Sequence, residues 1–121
     1  MGSMEPLDER LCDSFQSAVE LIGKRWTGAI IAVLRPGPLR YTQITQAVRG
    51  VSERLLSERL KELELCGIVI RRVLPGPPVG VEYELSPAGQ DLGEAMDALG
   101  AWAQRWMETG QVASSPRRAR V

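Results

Sequence analysis

The clearest hydrophobic pattern in the chain lies in residues 40–65, where two amphipathic segments are separated by a tight turn. The first segment, about Tyr41–Val48, places apolar residues four positions apart, which is one face of a short helix. Gly50 in the turn can adopt a positive φ without steric cost. Ser52 is then a suitable N-cap for a longer helix. The apolar positions that form the buried side of this second helix are Leu56, Leu60 and Leu63.

The opposite face of the second helix is polar. A short helix, a tight turn and a longer capped helix are typical of a helix-turn-helix, whose second helix can lie in the DNA major groove. Helical hairpins also pack within protein cores, so this pattern alone leaves DNA binding and simple packing equally open. The side chains that project outward are Arg54, Ser57, Glu58, Lys61 and Glu62.

After Gly67 the period of the pattern changes from helical to alternating. Residues 68–74 are β-branched and apolar apart from Arg71 and Arg72, and residues 81–85 alternate between apolar and acidic side chains. The intervening loop, Pro-Gly-Pro-Pro-Val-Gly, fits neither a helix nor a strand. The sequence therefore predicts a two-stranded β-hairpin directly after the second helix of this pair, the candidate recognition helix. A hairpin in this position is the wing of a winged helix-turn-helix.

Helical patterns flank this central unit on both sides. Helices are predicted over about residues 13–22 and 26–34, and a long helix is predicted from Pro87 to about residue 108. Apolar residues recur along the long helix with heptad spacing. This stripe can pack on the protein's own core, but its two tryptophans favour an additional role in a dimer interface. The stripe contains Leu92, Met96, Leu99, Ala103 and Trp106, and Trp102 widens it.

Charge is unevenly distributed along a chain whose formal net charge is zero. Residues 40–72 contain seven basic and four acidic side chains, whereas residues 1–22 and 86–108 are net acidic. A basic middle between acidic ends indicates that one face meets a polyanion. With 121 residues, the chain is predicted to be one domain of the α+β class, mainly α.

The composition also excludes several classes of function. Two cysteines and no histidine exclude a zinc site and a histidine-based triad. No nucleophile–base pair, paired carboxylates or glycine-rich phosphate loop stands out, so we expect neither an enzyme nor a cofactor. No apolar run approaches a membrane span of about 20 residues and no signal peptide is visible. We therefore expect a cytoplasmic protein with reduced thiols and no membrane contact.

The expected domain covers residues 12–109. Residues 1–11 are expected to be flexible, and their Gly-Ser-Met at positions 2–4 is typical of a cloning remnant. Residues 110–121 are expected to form a disordered basic tail.

Several motifs occur in one specific order: LIGKRWT at residues 21–27, Arg40-Tyr41, GVSERLLSERLKELE at residues 50–64, VEYELS at residues 81–86, and the late Trp102. This ordered set resembles the HxlR-type winged-helix regulators, a bacterial group related in fold to MarR-type repressors. The resemblance covers about residues 12–107.

The resemblance implies a homodimer that binds a palindromic operator in double-stranded DNA. It implies dimerisation through the first and last helices, which adds Phe15 and Val19 to the candidate interface. It also implies that the recognition helix presents several of its polar side chains to DNA. Together with the basic middle of the chain, the candidate DNA-binding residues are Arg40, Thr42, Ser52, Arg54, Ser57, Arg59, Lys61, Arg71 and Arg72.

Other interpretations of these residues stay open. Arg59 can instead form a salt bridge with Glu62 on the same helix, and the charges of Arg71 and Arg72 can simply keep a strand edge soluble. The wing carries Gly80 where the family usually has a basic residue, which leaves a wing contact open. The exposed acidic residues of the recognition helix also fit a second hypothesis, a winged helix used only for protein–protein contacts.

Cys12 is the candidate redox sensor. Some members of the family sense oxidants or electrophiles through a cysteine near the start of the first helix, and a small-molecule effector is the other regulatory possibility. The start of a helix favours a thiolate, whereas the adjacent Asp13 opposes it, and the family usually has proline at that position. The alternative is that Cys12 is a small apolar residue at the dimer interface.

Overall fold

The computed structural model describes residues 9–114, with side chains described from residue 12 onward. The described residues form five helices and three strands. In chain order these are α1 (Glu9–Ile22), α2 (Thr27–Leu34), β1 (Leu39–Arg40), α3 (Tyr41–Ala47), α4 (Glu53–Leu65), β2 (Val69–Leu74), β3 (Gly80–Leu85) and α5 (Pro87–Trp106). The mainly helical α+β fold with a winged helix-turn-helix is confirmed.

The hydrophobic core lies where α2, α3, α4 and the base of the sheet meet. The apolar stripes predicted from helical spacing supply it, and side chains from all three helices are completely buried. Burial of a Leu or Ile side chain stabilises a fold by about 1.5–3 kcal/mol, so this cluster dominates the stability of the domain. Its fully buried members from the three helices are Ile30, Leu34, Ile44, Leu56 and Leu60.

The recognition helix α4 begins and ends as its sequence predicts. Ser52 Oγ accepts a hydrogen bond from the backbone N–H of Leu55 at 3.1 Å, which satisfies one free donor of the first turn. At the other end, Gly67 has a φ of 81°, and the N–H of Ile68 reaches back to the carbonyl of Leu63 at 2.9 Å. This is a Schellman-type helix end, which stops α4 sharply before β2.

The turn between α3 and α4 requires a glycine for two reasons. Gly50 has a φ of 93°, as expected, and a Cβ placed there would lie 3.3 Å from the indole ring of Trp26. The ring of Trp26 therefore packs directly over the turn of the helix-turn-helix.

The sheet has one strand more than the predicted two. Its order is β1-β3-β2, all antiparallel, with Leu39 opposite Tyr83 and Arg40 opposite Glu82. The prediction of a two-stranded wing missed β1, because a two-residue strand is too short to show an alternating pattern. The consequence is that the start of α3 is hydrogen-bonded to the wing through β1.

Ser86 holds the base of the wing to the end of the recognition helix. Its Oγ donates to the carbonyl of Gly67 at 2.6 Å and accepts from the N–H of Gly89 at 3.1 Å, where it caps α5. Its own N–H donates to the carbonyl of Ile68 at 2.9 Å. Ser86 therefore connects the end of α4, both ends of the hairpin and the start of α5.

The connection between α1 and α2 is an unusual bend. A helix was predicted from Trp26 onward, but Trp26 adopts a left-handed conformation with φ 76° and α2 begins at Thr27. Lys24 Nζ lies 3.4 Å from Glu62 Oε2, and the carbonyl of Arg25 accepts a hydrogen bond from Arg59 Nε at 3.0 Å. The bend is thus attached to the recognition helix by two contacts, one from the side chain of Lys24 and one to the backbone carbonyl of Arg25.

Both terminal helices differ from their predicted limits. Helix α1 begins at Glu9, four residues earlier than expected, because the prediction rested on the apolar pattern, which starts later. Cys12 therefore lies inside α1 and not just before it. Helix α5 ends at Trp106, and residues 107–114 form exposed turns apart from the half-buried Met107. The expectations for residues 1–8 and 115–121 lie outside the described residues.

Candidate nucleic-acid interface

The exposed face of α4 carries most of the predicted DNA-binding residues. Ser52, Arg54, Ser57 and Lys61 are all exposed, and their positions follow from the burial of the opposite leucine face. Arg54 forms no ion pair with any carboxylate in the part of the chain that has described side chains. Its guanidinium group can therefore contact a base edge or a phosphate without breaking an internal contact.

Tyr41 fixes the angle between the two helices of the helix-turn-helix. Its hydroxyl lies 3.1 Å from Ser57 Oγ and donates to the carbonyl of Glu53 at 3.3 Å. The sequence pattern did not single out Tyr41 as a functional residue, because a half-buried tyrosine at a helix start looks like an ordinary core position. The contact holds the first turn of α3 against the outer face of α4.

A polar groove lies between the recognition helix and the wing. Its volume is about 330 Å³, and it opens to solvent. Lys61 and Arg71 give the groove two cations against the one carboxylate of Glu64, so it is net positive. The groove therefore brings together three predicted contacts from two separate elements and adds two residues that were not predicted. The residues that line it are Ser57, Lys61, Glu64, Arg71 and Tyr83.

The neighbouring arginines of the wing point to opposite faces of the sheet. Arg71 is opposite Tyr83 and faces the groove, whereas Arg72 is opposite Glu82 and its guanidinium pairs with Glu84. Successive side chains in a strand alternate in direction, so the sequence already contained this signal. The structure brings Arg71, but not Arg72, to the groove beside the recognition helix.

Arg59 is engaged within the protein. Its side chain is 17% exposed, and besides its bond to the carbonyl of Arg25 it lies 3.3 Å from Glu62 Oε1. The salt bridge to Glu62, which was the alternative interpretation, is therefore present. The bond to Arg25 was not visible in the sequence, because it depends on the left-handed bend at Trp26.

Arg40 and Thr42 lie on the other side of the wing from this groove. Both are exposed, and they border a cleft of about 270 Å³ between the start of α3 and the wing loop at residues 78–81. The candidate DNA-binding residues thus form two groups, one on each side of the wing.

The candidate dimer interface is divided between core packing and exposed surface. Leu92 and Met96 are half-buried and pack against the protein's own core. On α1, Phe15 and Val19 are 69% and 41% exposed, and residues 12–20 are all exposed. Along the second half of α5 the exposed fractions are 50% for Leu99, 46% for Trp102 and 37% for Trp106. Single large apolar side chains are common on surfaces, but these belong to two helices and leave both apolar faces uncovered by the chain's own described residues.

The two cysteines are exposed and unbridged. Cys12 lies in the first turns of α1, and Cys66 is the C-cap of the recognition helix. Among the described residues no group of His, Cys, Asp and Glu could hold a metal ion. None of the described helices has the length and apolar character needed to cross a membrane.

The helix-turn-helix, the adjacent wing and the exposed polar face of α4 define the class of winged helix-turn-helix transcriptional regulators. Residues 21–111 match the HxlR-like helix-turn-helix family, and the chain belongs to that family. The resemblance inferred from the sequence motifs is therefore confirmed.

Two regulators of Bacillus subtilis (strain 168) are similar in sequence. The HTH-type transcriptional regulator YodB is 45% identical over 100 residues, which cover 83% of this chain and 89% of YodB. The uncharacterized HTH-type transcriptional regulator YvaP is 41% identical over 98 residues, which cover 81% of this chain and 91% of YvaP. Proteins of this family are transcriptional regulators and not enzymes.

Solved structures of YodB from B. subtilis have the same fold. Its reduced form superposes with a TM-score of 0.75 at 45% identity, covering 80% of this chain and 95% of that one. The diamide-treated form gives a TM-score of 0.68 with coverage of 75% and 90% at 46% identity, and the quinone-bound form gives 0.68 with coverage of 76% and 96% at 42% identity. The redox regulator HypR in its reduced form gives a TM-score of 0.71 at 27% identity, with coverage of 76% and 91%.

Proposed function

We propose that this regulator is a homodimer that binds a palindromic operator in double-stranded DNA through α4 and the wing. The observation that carries the proposal is the polar groove at the junction of these two elements. Ser57 and Lys61 of the helix and Arg71 of the wing line the same surface, although they are up to 14 positions apart in sequence. Convergence of cations and a hydroxyl on one open surface is what contact with a phosphate backbone requires.

Within this proposal, Arg54 is the residue that reads sequence. It lies in the first turn of α4, the part of a recognition helix that meets base edges in the major groove. An arginine there can donate two parallel hydrogen bonds to guanine O6 and N7. Ser52 and the free N–H groups of the same turn are placed to meet a phosphate. Arg59, which is bound to Arg25 and Glu62, serves to position α4 and does not contact DNA.

The homodimer in this proposal forms through α1 and the second half of α5. These helices carry the exposed apolar side chains, and a two-fold axis would bring each face onto its copy. A dimer of winged helices places its two recognition helices in successive major grooves. The operator should therefore be an inverted repeat with half-sites about one helical turn apart.

Regulation of this dimer is proposed to act at Cys12, with an electrophilic small molecule as effector. Cys12 is exposed on α1, the helix assigned to the dimer interface, and the related YodB has been solved in quinone-bound and diamide-treated forms. A quinone would accept the Cys12 sulfur at a ring carbon, forming a C–S bond. The thiol proton and the ring proton end on the two quinone oxygens, which leaves a thioether-substituted hydroquinone. The bulky adduct would then separate the apolar faces that hold the dimer together.

Selection of bound sites from genomic DNA by the purified full chain, followed by footprinting, tests the proposal. The expected result is an inverted repeat protected over two successive major grooves on one face of the duplex. Equal affinity for heparin, mixed-sequence duplex and selected fragments would contradict specific recognition. Failure to retain any duplex DNA at low salt would favour the alternative of a protein-interaction module, for which the exposed carboxylates of Glu53 and Glu58 would be the contact surface.

A further inference from the structure

The tip of the wing has no charged side chain of its own. Residues 75–80 read Pro-Gly-Pro-Pro-Val-Gly, and the loop that they form is exposed except at its end. Val79 is 72% exposed. A wing that approaches a polyanion with such a loop gains no electrostatic attraction from it, so any cation at the tip must come from another element.

Arg40 lies where that cation is needed. A Cβ built on Gly80 would lie 3.1 Å from Nη1 and 3.8 Å from Cζ of Arg40. The guanidinium group therefore occupies the space that a side chain at position 80 would fill. Gly80 has no positive φ, so its backbone conformation does not require glycine. The absence of a Cβ matters here because it leaves room for the side chain of Arg40.

The backbone of Arg40 is held in place from two directions. Arg40 is paired with Glu82 in the β1–β3 ladder, and its N–H donates to Gln43 Oε1 at 2.8 Å, which caps α3. Although Glu82 is its ladder partner, Arg40 forms no ion pair with it or with any other carboxylate among the side chains from residue 12 to 114. Its side chain extends along the strand toward the wing tip and remains exposed.

We infer that Arg40 supplies the phosphate contact of the wing, in the place of a basic side chain at position 80. The inference rests on the proposed DNA binding and assigns one of its contacts. In the complex, the guanidinium group of Arg40 lies against Gly80 and meets the phosphate backbone beside the half-site. Arg54, which belongs to the group of residues on the other side of the wing, reads bases. Loss of Arg40 should therefore weaken binding to all sequences alike, whereas loss of Arg54 should weaken binding mainly to the preferred sequence.

The test measures binding of the full chain to a mixed-sequence duplex by fluorescence anisotropy over a series of salt concentrations. Arg40→Gln should weaken binding severalfold at low salt. It should also lower the slope of log K against log salt by about 0.9 per protomer, the value for one phosphate contact. Arg40→Lys should keep most of the slope, because the charge remains. Arg105→Gln, which removes a charge in the last turn of α5, is the matched control and should leave the slope unchanged.

The decisive variant combines Arg40→Gln with Gly80→Arg. If the two positions share one phosphate, the added arginine should restore the slope and most of the affinity lost by Arg40→Gln. A wild-type slope in folded Arg40→Gln protein, or a double variant no better than the single one, would overturn the inference. Those results leave the proposed function standing if the wild type binds DNA, whereas a wild type that does not bind overturns both. Thermal melting of each variant establishes that it is folded.

Discussion

Replacement of both Leu99 and Trp106 by glutamate should convert the proposed dimer to a monomer. Leu99 is 50% exposed in the single chain, so covering it would contribute about 1 kcal/mol, half the value of about 1.5–3 kcal/mol for a whole side chain. Trp106 is 37% exposed, which leaves roughly 90 Å² of a side chain of about 250 Å², or about 2 kcal/mol.

In a two-fold symmetric dimer each of these contributions occurs twice, once for each protomer. The double variant therefore loses about 6 kcal/mol of association free energy, or roughly four powers of ten in the dissociation constant. Burial of four carboxylates in an apolar interface adds to this loss. A dimer with a nanomolar dissociation constant would become monomeric at micromolar concentration.

Sedimentation equilibrium at micromolar concentration measures this change directly. The matched control is the pair Ala101→Glu and Gln104→Glu, which adds the same charge to the opposite, exposed side of α5 and should remain dimeric. DNA affinity should fall together with the dimer. A well-folded wild-type monomer, or a double variant that sediments as a dimer, would refute the reasoning.

Three further predictions concern single residues. Arg54→Ala should weaken binding to a selected operator by about 1–3 kcal/mol and relax preference at one position of each half-site; unchanged affinity and salt slope in the anisotropy assay would remove it from the interface. Cys12→Ser should keep operator binding after a stoichiometric dose of quinone that releases the wild type and adds the mass of one quinone to it; release of both proteins alike would rule out Cys12 as the sensor. Gly50→Ala should destabilise the fold by about 1–2 kcal/mol in urea unfolding, because of its positive φ and the nearby ring of Trp26. Gly37→Ala, where nothing lies within 4 Å of the new Cβ, is the matched control; equal losses for the two would contradict this account.

Elements with a strong period were predictable from the sequence. The leucine spacing of α4, its Ser52 cap and the alternation in β3 are each visible as a pattern within a few neighbouring residues, and each was found in its predicted place. Gly50 was predictable for the same reason, because a tight turn between two helices needs a residue that tolerates positive φ.

Contacts between distant parts of the chain were not predictable. Strand β1 forms only because Leu39 pairs with Tyr83 of β3. The left-handed Trp26 packs over Gly50, which lies in a different part of the chain. The role of Arg59 depends on a carbonyl 34 positions away. The opposite directions of Arg71 and Arg72, by contrast, were predictable, because successive side chains in a strand point to opposite faces of the sheet.

The attachment of the bend at residues 24–26 to α4 has a thermodynamic consequence. The bend joins α1, which carries Cys12, to the recognition helix through Glu62 and Arg59. A displacement of α1 that moved this bend would act on α4, and the resulting coupling free energy would be the same in both directions. If a ligand at α1 lowers operator affinity by some factor, a bound operator lowers affinity for that ligand by the same factor. Copies of the protein on their operators would then respond at a higher ligand concentration than free copies, so operator occupancy would itself set the sensitivity of the response.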